Sequence, residues 1–116
     1  MNDLTYFNFG FRACNTIDTL TKYLELSTWN PLFIEDSIKL LHEMEKENIG
    51  IKLLFEIFPD KSVDEMQRFC TNIIELLNQI QNSKSVNELG YSSGKIVVII
   101  NLFEKIHLKC LNANNK

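Results

Sequence analysis

The stretch that decides the fold is residues 62–81, which read SVDEMQRFCTNIIELLNQIQ. Apolar residues recur in it at spacings of three and four, the periodicity of one face of an α-helix. They are Val63, Met66, Phe69, Cys70, Ile73, Ile74, Leu76, Leu77 and Ile80. Ser62 and Glu65 form a capping box, in which each side chain satisfies a backbone donor at the helix start. The stretch therefore predicts a long helix that is buried on more than one side.

On the C-terminal side, a polar loop over residues 82–93 leads to a second apolar segment. The run 96–100 is β-branched and would suit a strand. Apolar residues keep helical spacing beyond that run, and no other segment offers a strand partner. Those residues are Ile99, Phe103, Ile106 and Cys110. We predict a last helix that is buried almost all round, followed by a frayed tail at 112–116.

The first residues of the chain fit two structures. Phe7, Phe9 and Phe11 alternate as in a strand, whereas Leu4, Phe7 and Phe11 lie on one face of a helix. A single strand would have no sheet to join. We therefore predict a short helix over residues 3–11.

Three further helices are expected before residue 60. The first begins with Asn15 as its cap and ends before Pro31, because proline disfavours helical geometry in the preceding residue. Pro31 suits the first position of the next helix, for which Gly50 is the natural stop signal. A short helix over 51–58 ends at Pro59. Residues 1–116 are thus predicted to form a single all-α domain, a compact bundle of six or so helices.

The composition is that of one soluble globular domain. A chain of 116 residues with 45% hydrophobic and 23% charged residues is ordinary for such a domain. The net charge is −3, and Arg12 and Arg68 are the only arginines, so the basic stripe typical of nucleic-acid binding is missing. No apolar run approaches the ~20 residues of a membrane span, and no secretory signal opens the chain. We expect no nucleic acid and no membrane span.

The sequence contains no recognisable catalytic or metal constellation. Cys14, Cys70 and Cys110 are odd in number and match no zinc spacing. His42 lacks a second histidine four residues on, as a helical metal motif would require. A pair of Cys70 with His107 stays open, although a thiol in the middle of a buried helix is expected to be inert. We predict no enzyme, no catalytic residue, no metal and no cofactor.

Residues 92–103, SSGKIVVIINLF, resemble the first Bcl-2 homology motif, in which an Asn-Trp-Gly-Arg turn opens a central apolar helix. Ser92, Ser93, Gly94 and Lys95 stand in those four places, so only the glycine is identical and the lysine keeps the charge. The chain's size, its frequent Ile, Asn and Lys, and the segment 53–77 are similar to the short, tail-less Bcl-2-like proteins of poxviruses. The likeness in helix pattern covers about the whole chain.

One departure concerns the end of the fold. In cellular members of the family a further helix pair follows the motif, whereas only 22 residues follow Gly94 here. Either the fold is truncated, or the last helix is the family's penultimate one and 62–81 is the central apolar helix. We prefer the second interpretation, which fits the poxviral short forms.

The resemblance implies a virulence factor in the cytoplasm of the host cell. Such proteins blunt innate signalling towards NF-kappa-B or interferon, or they sequester pro-apoptotic helices in a groove, and many are homodimers. The resemblance, together with the surplus of aromatic residues, which often anchor interfaces, suggests two binding surfaces. A groove for an amphipathic helix would have walls at Ile38, Leu41, Phe55 and Phe58. A dimer face on the first and last helices would use Tyr6, Phe9 and Phe11.

A different class of function fits the same sequence. The frequent Ile, Asn and Lys have codons rich in A and T. A small helical immunity, antitoxin or phage regulatory protein from a genome rich in A and T would have the same composition. This alternative predicts a microbial target and no effect in animal-cell reporter assays.

Overall fold

The computed structural model describes residues 3–25, 34–82 and 94–114. Within these ranges the regular secondary structure is helical throughout, without a strand, which confirms the all-α fold class. The helices are α1 (Asp3–Glu25), α2 (Ile34–Lys46), α3 (Asn48–Ile57), α4 (Val63–Gln81) and α5 (Gly94–Asn114). The described part thus has five helices rather than six. Pro31, with the predicted start of its helix, and nearly all of the predicted polar loop lie outside these ranges.

Helix α1 is continuous where the sequence predicts two helices. Its buried residues recur at spacings of three and four across the predicted boundary, so a single apolar stripe holds the whole helix against the core. They are Phe9, Ala13, Thr16, Leu20 and Tyr23. Gly10 does not break the helix but permits close packing, because a Cβ added there would lie 3.0 Å from Cβ of Cys110 in α5.

Helices α2 and α3 are separated by Glu47 alone. Its extended backbone, with φ −98° and ψ 141°, turns the chain between the two helices. The stop predicted at Gly50 is therefore wrong, since Gly50 lies in the first turn of α3. A Cβ on Gly50 would overlap the backbone of Met44, so the glycine is required by the close approach of the two helices.

Helix α4 begins at the predicted capping box. The Glu65 N–H donates to Oγ of Ser62 at 3.2 Å, and the Ser62 N–H donates to Oε1 of Glu65 at 3.1 Å. The helix is buried along one face rather than on several sides as predicted, because Val63 and most positions off that face are exposed. The buried residues are Met66, Cys70, Ile73, Ile74, Leu77 and Ile80.

Helix α5 contains the β-branched run, as predicted, but it is not buried all round. Ile96, Ile99 and Ile100 enter the core, whereas Val97 and Val98 are about half exposed. The helix also continues to Asn114, through most of the tail that was predicted to fray.

The core is built around the pair formed by α1 and α5, whose backbones pack most closely. Helix α2 packs on α1, α3 and α4, and α3 also contacts α5. Helix α4, the predicted central helix, has α2 as its closest backbone neighbour, so neither a central position for α4 nor a Bcl-2-like arrangement is confirmed.

Polar side chains fix α1 against α2. Arg12 binds Asp36 through two atoms, Nε to Oδ2 at 3.1 Å and Nη2 to Oδ1 at 3.0 Å, and its Nη2 also lies 2.6 Å from Oε2 of Glu43. The hydroxyl oxygens of Thr16 and Ser37 are 2.6 Å apart and buried. Such paired groups set the register between two helices, since a slip would leave buried polar atoms unsatisfied.

Candidate functional site

The four predicted groove residues have different surroundings. Leu41 is fully buried, so it has no surface to offer a partner and is removed from the groove. Ile38 and Phe55 are partly buried against the core. The ring of Phe58 packs on Phe69, with 4.9 Å between the ring centroids, and Nζ of Lys105 lies 5.5 Å above the Phe58 ring.

Phe55 lines an apolar cleft of about 260 Å³ where α3 faces the start of α4. We call it the α3–α4 cleft. Its apolar walls are Ile51, Leu54, Phe55, Val63 and Met66. Val63 stands at the rim with 55% of its surface exposed. A volume of this size is slightly below that of drug-sized ligand pockets and suits one or two side chains.

Glu45 and Cys70 bring polar atoms into this cleft. Oε1 of Glu45 is buried and has no hydrogen-bond partner among the described residues. Burial, followed by the nearby Glu45 carboxylate, raises the pKa of the Cys70 thiol to about 12. The thiol is therefore protonated at neutral pH and is a poor nucleophile.

The predicted dimer face needs a correction at one residue. Phe9 is only 1% exposed and belongs to the core, whereas Phe7, which the prediction omits, is 61% exposed. Phe7 and Phe11 are four residues apart and therefore share a helix face. Their rings stack with 6.2 Å between centroids. Tyr6 is partly buried.

Exposed apolar side chains continue from α1 onto α5. Phe7 and Phe11 line a shallow cavity of about 200 Å³ together with His107 and Leu111. We call this surface the α1–α5 face. Phe7, Phe11 and Leu111 are exposed on it, and the exposed Leu4 and Leu108 lie one helical turn from Phe7 and Leu111. Contiguous apolar surface of this kind marks interaction sites in soluble proteins.

The remaining candidates for chemistry lie in separate places. Cys70 lines the α3–α4 cleft, whereas His107 lies beside Gly10 and Cys110, at the α1–α5 face. Burial raises the pKa of the Cys110 thiol to about 11. Among residues 3–25, 34–82 and 94–114, no three His, Cys, Asp or Glu side chains are arranged to hold a metal ion. His42 is exposed on α2.

None of the helices in the described ranges has both the length and the apolar character that crossing a bilayer requires.

Comparisons with known proteins gave no match: no family model fits the chain, and no curated protein or solved structure is significantly similar to it. The resemblance to Bcl-2-like proteins therefore stays a prediction.

Proposed function

We propose that this chain is a protein-binding virulence factor of the poxviral Bcl-2-like type. It acts in the cytoplasm of the host cell and interferes with innate immune signalling of the NF-kappa-B type, with apoptosis, or with both. The observation that supports binding most directly is the α3–α4 cleft, an apolar opening on the surface of a small helical domain. A rim of exposed Val63 and Ile51 gives a partner access to it.

The partner proposed for the cleft is an amphipathic helix of a host protein. Such helices bind by inserting a few apolar anchors from one face into a hydrophobic groove. The cleft volume of about 260 Å³ accommodates one or two anchors rather than a whole helix. The rest of the contact would therefore run over the exposed surface of α3 and α4.

The α1–α5 face is proposed to bind a second copy of the chain. Phe7 and Phe11 are large aromatic groups at its centre, and such side chains dominate the energy of interfaces. The two surfaces contain different residues, so a homodimer leaves the α3–α4 cleft open for a host partner.

The cellular role is tested with an NF-kappa-B reporter in animal cells. We expect the wild-type chain to lower the reporter signal and Val63→Lys to lose that effect, because a charge at the rim opposes apolar insertion. Val98→Lys is the matched control, since Val98 is 50% exposed on α5 and does not line the cleft. No effect of the wild-type chain, or equal loss in both variants, would contradict the signalling branch. No reporter effect together with no binding of pro-apoptotic peptides would favour the microbial class of function.

The apoptotic branch is tested by calorimetry with a panel of pro-apoptotic helical peptides. Micromolar or tighter binding that Val63→Lys weakens and Val98→Lys does not would support a groove that holds such a helix. If no peptide of the panel binds, the signalling branch alone stands.

A further inference from the structure

Glu45 holds one carboxylate oxygen out of solvent, and the described group that lies against this carboxylate is the Cys70 thiol, a weak hydrogen-bond donor. Oε1 is buried and has no hydrogen-bond partner among the described residues. The residue also lies in the last turn of α2 (Ile34–Lys46), where the negative end of the helix dipole disfavours an acid. Buried polar atoms are nearly always paired in folded proteins, and the exceptions concentrate at functional sites.

The surroundings of Glu45 define what would pair with it. Glu45 is the one acid among the described residues that line the α3–α4 cleft, and no lysine or arginine lines it. Most of the lining around it is aliphatic or aromatic, through residues such as Ile51 and Phe55, and Gln67 and Cys70 are its neutral polar members. A suitable occupant therefore carries a cationic N–H donor on an apolar stem, as the side chains of lysine and arginine do.

We propose that the α3–α4 cleft selects a cation: the helix that binds there inserts an apolar side chain and, one turn away, a lysine or arginine whose head pairs with Glu45. The identity of the occupant as a partner helix rests on the proposed function. The preference for a cation is inferred from the residues that line the cleft and does not depend on the proposed function. An acidic residue at the same place in the partner would meet the carboxylate of Glu45 and be rejected.

Two designed peptides test this preference on the purified chain. Both are alanine-based helices with one phenylalanine, and they differ four residues further on, where one has lysine and the other glutamate. Binding is measured by NMR titration, with the amide signals of α3 and the first turns of α4 as the reporters of position. We expect the lysine peptide to bind at least about tenfold more tightly, in line with a charge-assisted hydrogen bond.

Three variants distinguish an ion pair with Glu45 from nonspecific attraction of the lysine peptide to an acidic chain. Glu45→Gln should reduce the preference to less than about twofold. Glu104→Gln, which makes the same change of net charge on the exposed surface of α5, should keep it. Val63→Lys puts a cation at the rim and should reverse the preference. A preference that survives in Glu45→Gln, equal binding of both peptides, or no shift of the cleft amides would overturn the inference.

The outcome is distinguishable from a failure of the proposed function. The peptide titration uses the purified chain, whereas the proposed function is tested in cells. Reporter activity that depends on Val63 without a charge preference overturns this inference alone. A charge preference without reporter activity supports the cleft chemistry and removes the signalling role.

Discussion

A single side chain, Glu45, is expected to carry a cost in the free chain that a partner would remove. Its Oε1 is buried without a hydrogen-bond partner among the described residues, and the last turn of α2 disfavours an acid. We therefore expect Glu45→Gln to increase the free energy of unfolding by roughly 0.5–1 kcal/mol, measured by urea denaturation. Glu75→Gln, at an exposed position within α4, is the control and should change it by less than about 0.5 kcal/mol. A less stable Glu45→Gln chain would mean that Glu45 has a stabilising partner.

Individual site residues differ in whether the sequence predicts them. The aromatic surplus led to Phe55, which lines the cleft, and to Phe11, which is exposed. Glu45 was missed because it belongs to the charged run of α2, which is typical of a solvated helix face. Its Oε1 is buried where the end of α2 meets residues of α3 and α4, a tertiary contact that the periodicity of α2 does not predict. Phe9 was assigned to the dimer face on its aromatic character, whereas Phe7 and Phe11, four residues apart, share the exposed face of the helix.

At the scale of elements, α1 and α2 are joined by a buried hydroxyl pair. Thr16 donates to the backbone oxygen of Arg12 at 3.0 Å, which leaves the Ser37 hydroxyl to donate to Thr16. Thr16→Val thus removes the acceptor of a buried donor, and we expect it to cost about 1–3 kcal/mol of stability. Ser37→Ala should cost less, since Thr16 keeps its bond to Arg12.

A double-mutant cycle measured by urea unfolding checks this asymmetry. The double variant Thr16→Val, Ser37→Ala should cost less than the sum of the single changes, because no hydroxyl is then left unpaired. Strict additivity would show that the two hydroxyls are not coupled in solution.

The start of α4 links stability to pH. The hydrogen bond from the backbone N–H of Ser62 is the main cause that lowers the pKa of Glu65 below its ordinary value of 4.5. The folded pKa is below the unfolded one, so this contribution to stability is present above the unfolded pKa and is lost as pH falls through the folded pKa. Glu65→Gln keeps a capping side chain that does not titrate. We expect this variant to lose less stability than the wild-type chain between pH 5 and pH 3, measured by the midpoints of urea unfolding. Equal acid sensitivity in both chains would contradict this.

Elements differ in how far the sequence predicts them. The capping box and the helical spacing of α4 and α5 are local signals, and they are found as predicted. The break predicted between residues 11 and 15 and the stop predicted at Gly50 also rest on local signals, and they are wrong, because Gly10 and Gly50 both lie within helices. In both cases the glycine lies where another segment comes close, Cys110 of α5 or Met44 of α2. Tertiary packing determines the helix boundaries near these glycines, and the preferences of single residues do not predict such packing.

At the scale of the whole molecule, the α1–α5 face predicts self-association. We expect the chain to sediment as a dimer and Phe7→Asp to sediment as a monomer, because a charge at the centre of an apolar interface is costly to bury. Val98→Asp is the matched control on exposed surface outside that face. A wild-type chain that stays monomeric at high concentration, or a dimer that Phe7→Asp leaves intact, would contradict the dimer.

The close pairing of α1 with α5 also affects how the molecule is made. During synthesis α1 leaves the ribosome first, but the helix that covers its apolar stripe is translated last. Until then Phe9, Ala13 and Leu20 lack their main cover, so the nascent chain carries an adhesive surface that chaperones and other nascent chains can bind. The fold closes late through contacts between distant parts of the chain, which is a slow route to the native state. We therefore expect the yield of folded protein in a crowded cell to depend on the time between the synthesis of these two helices.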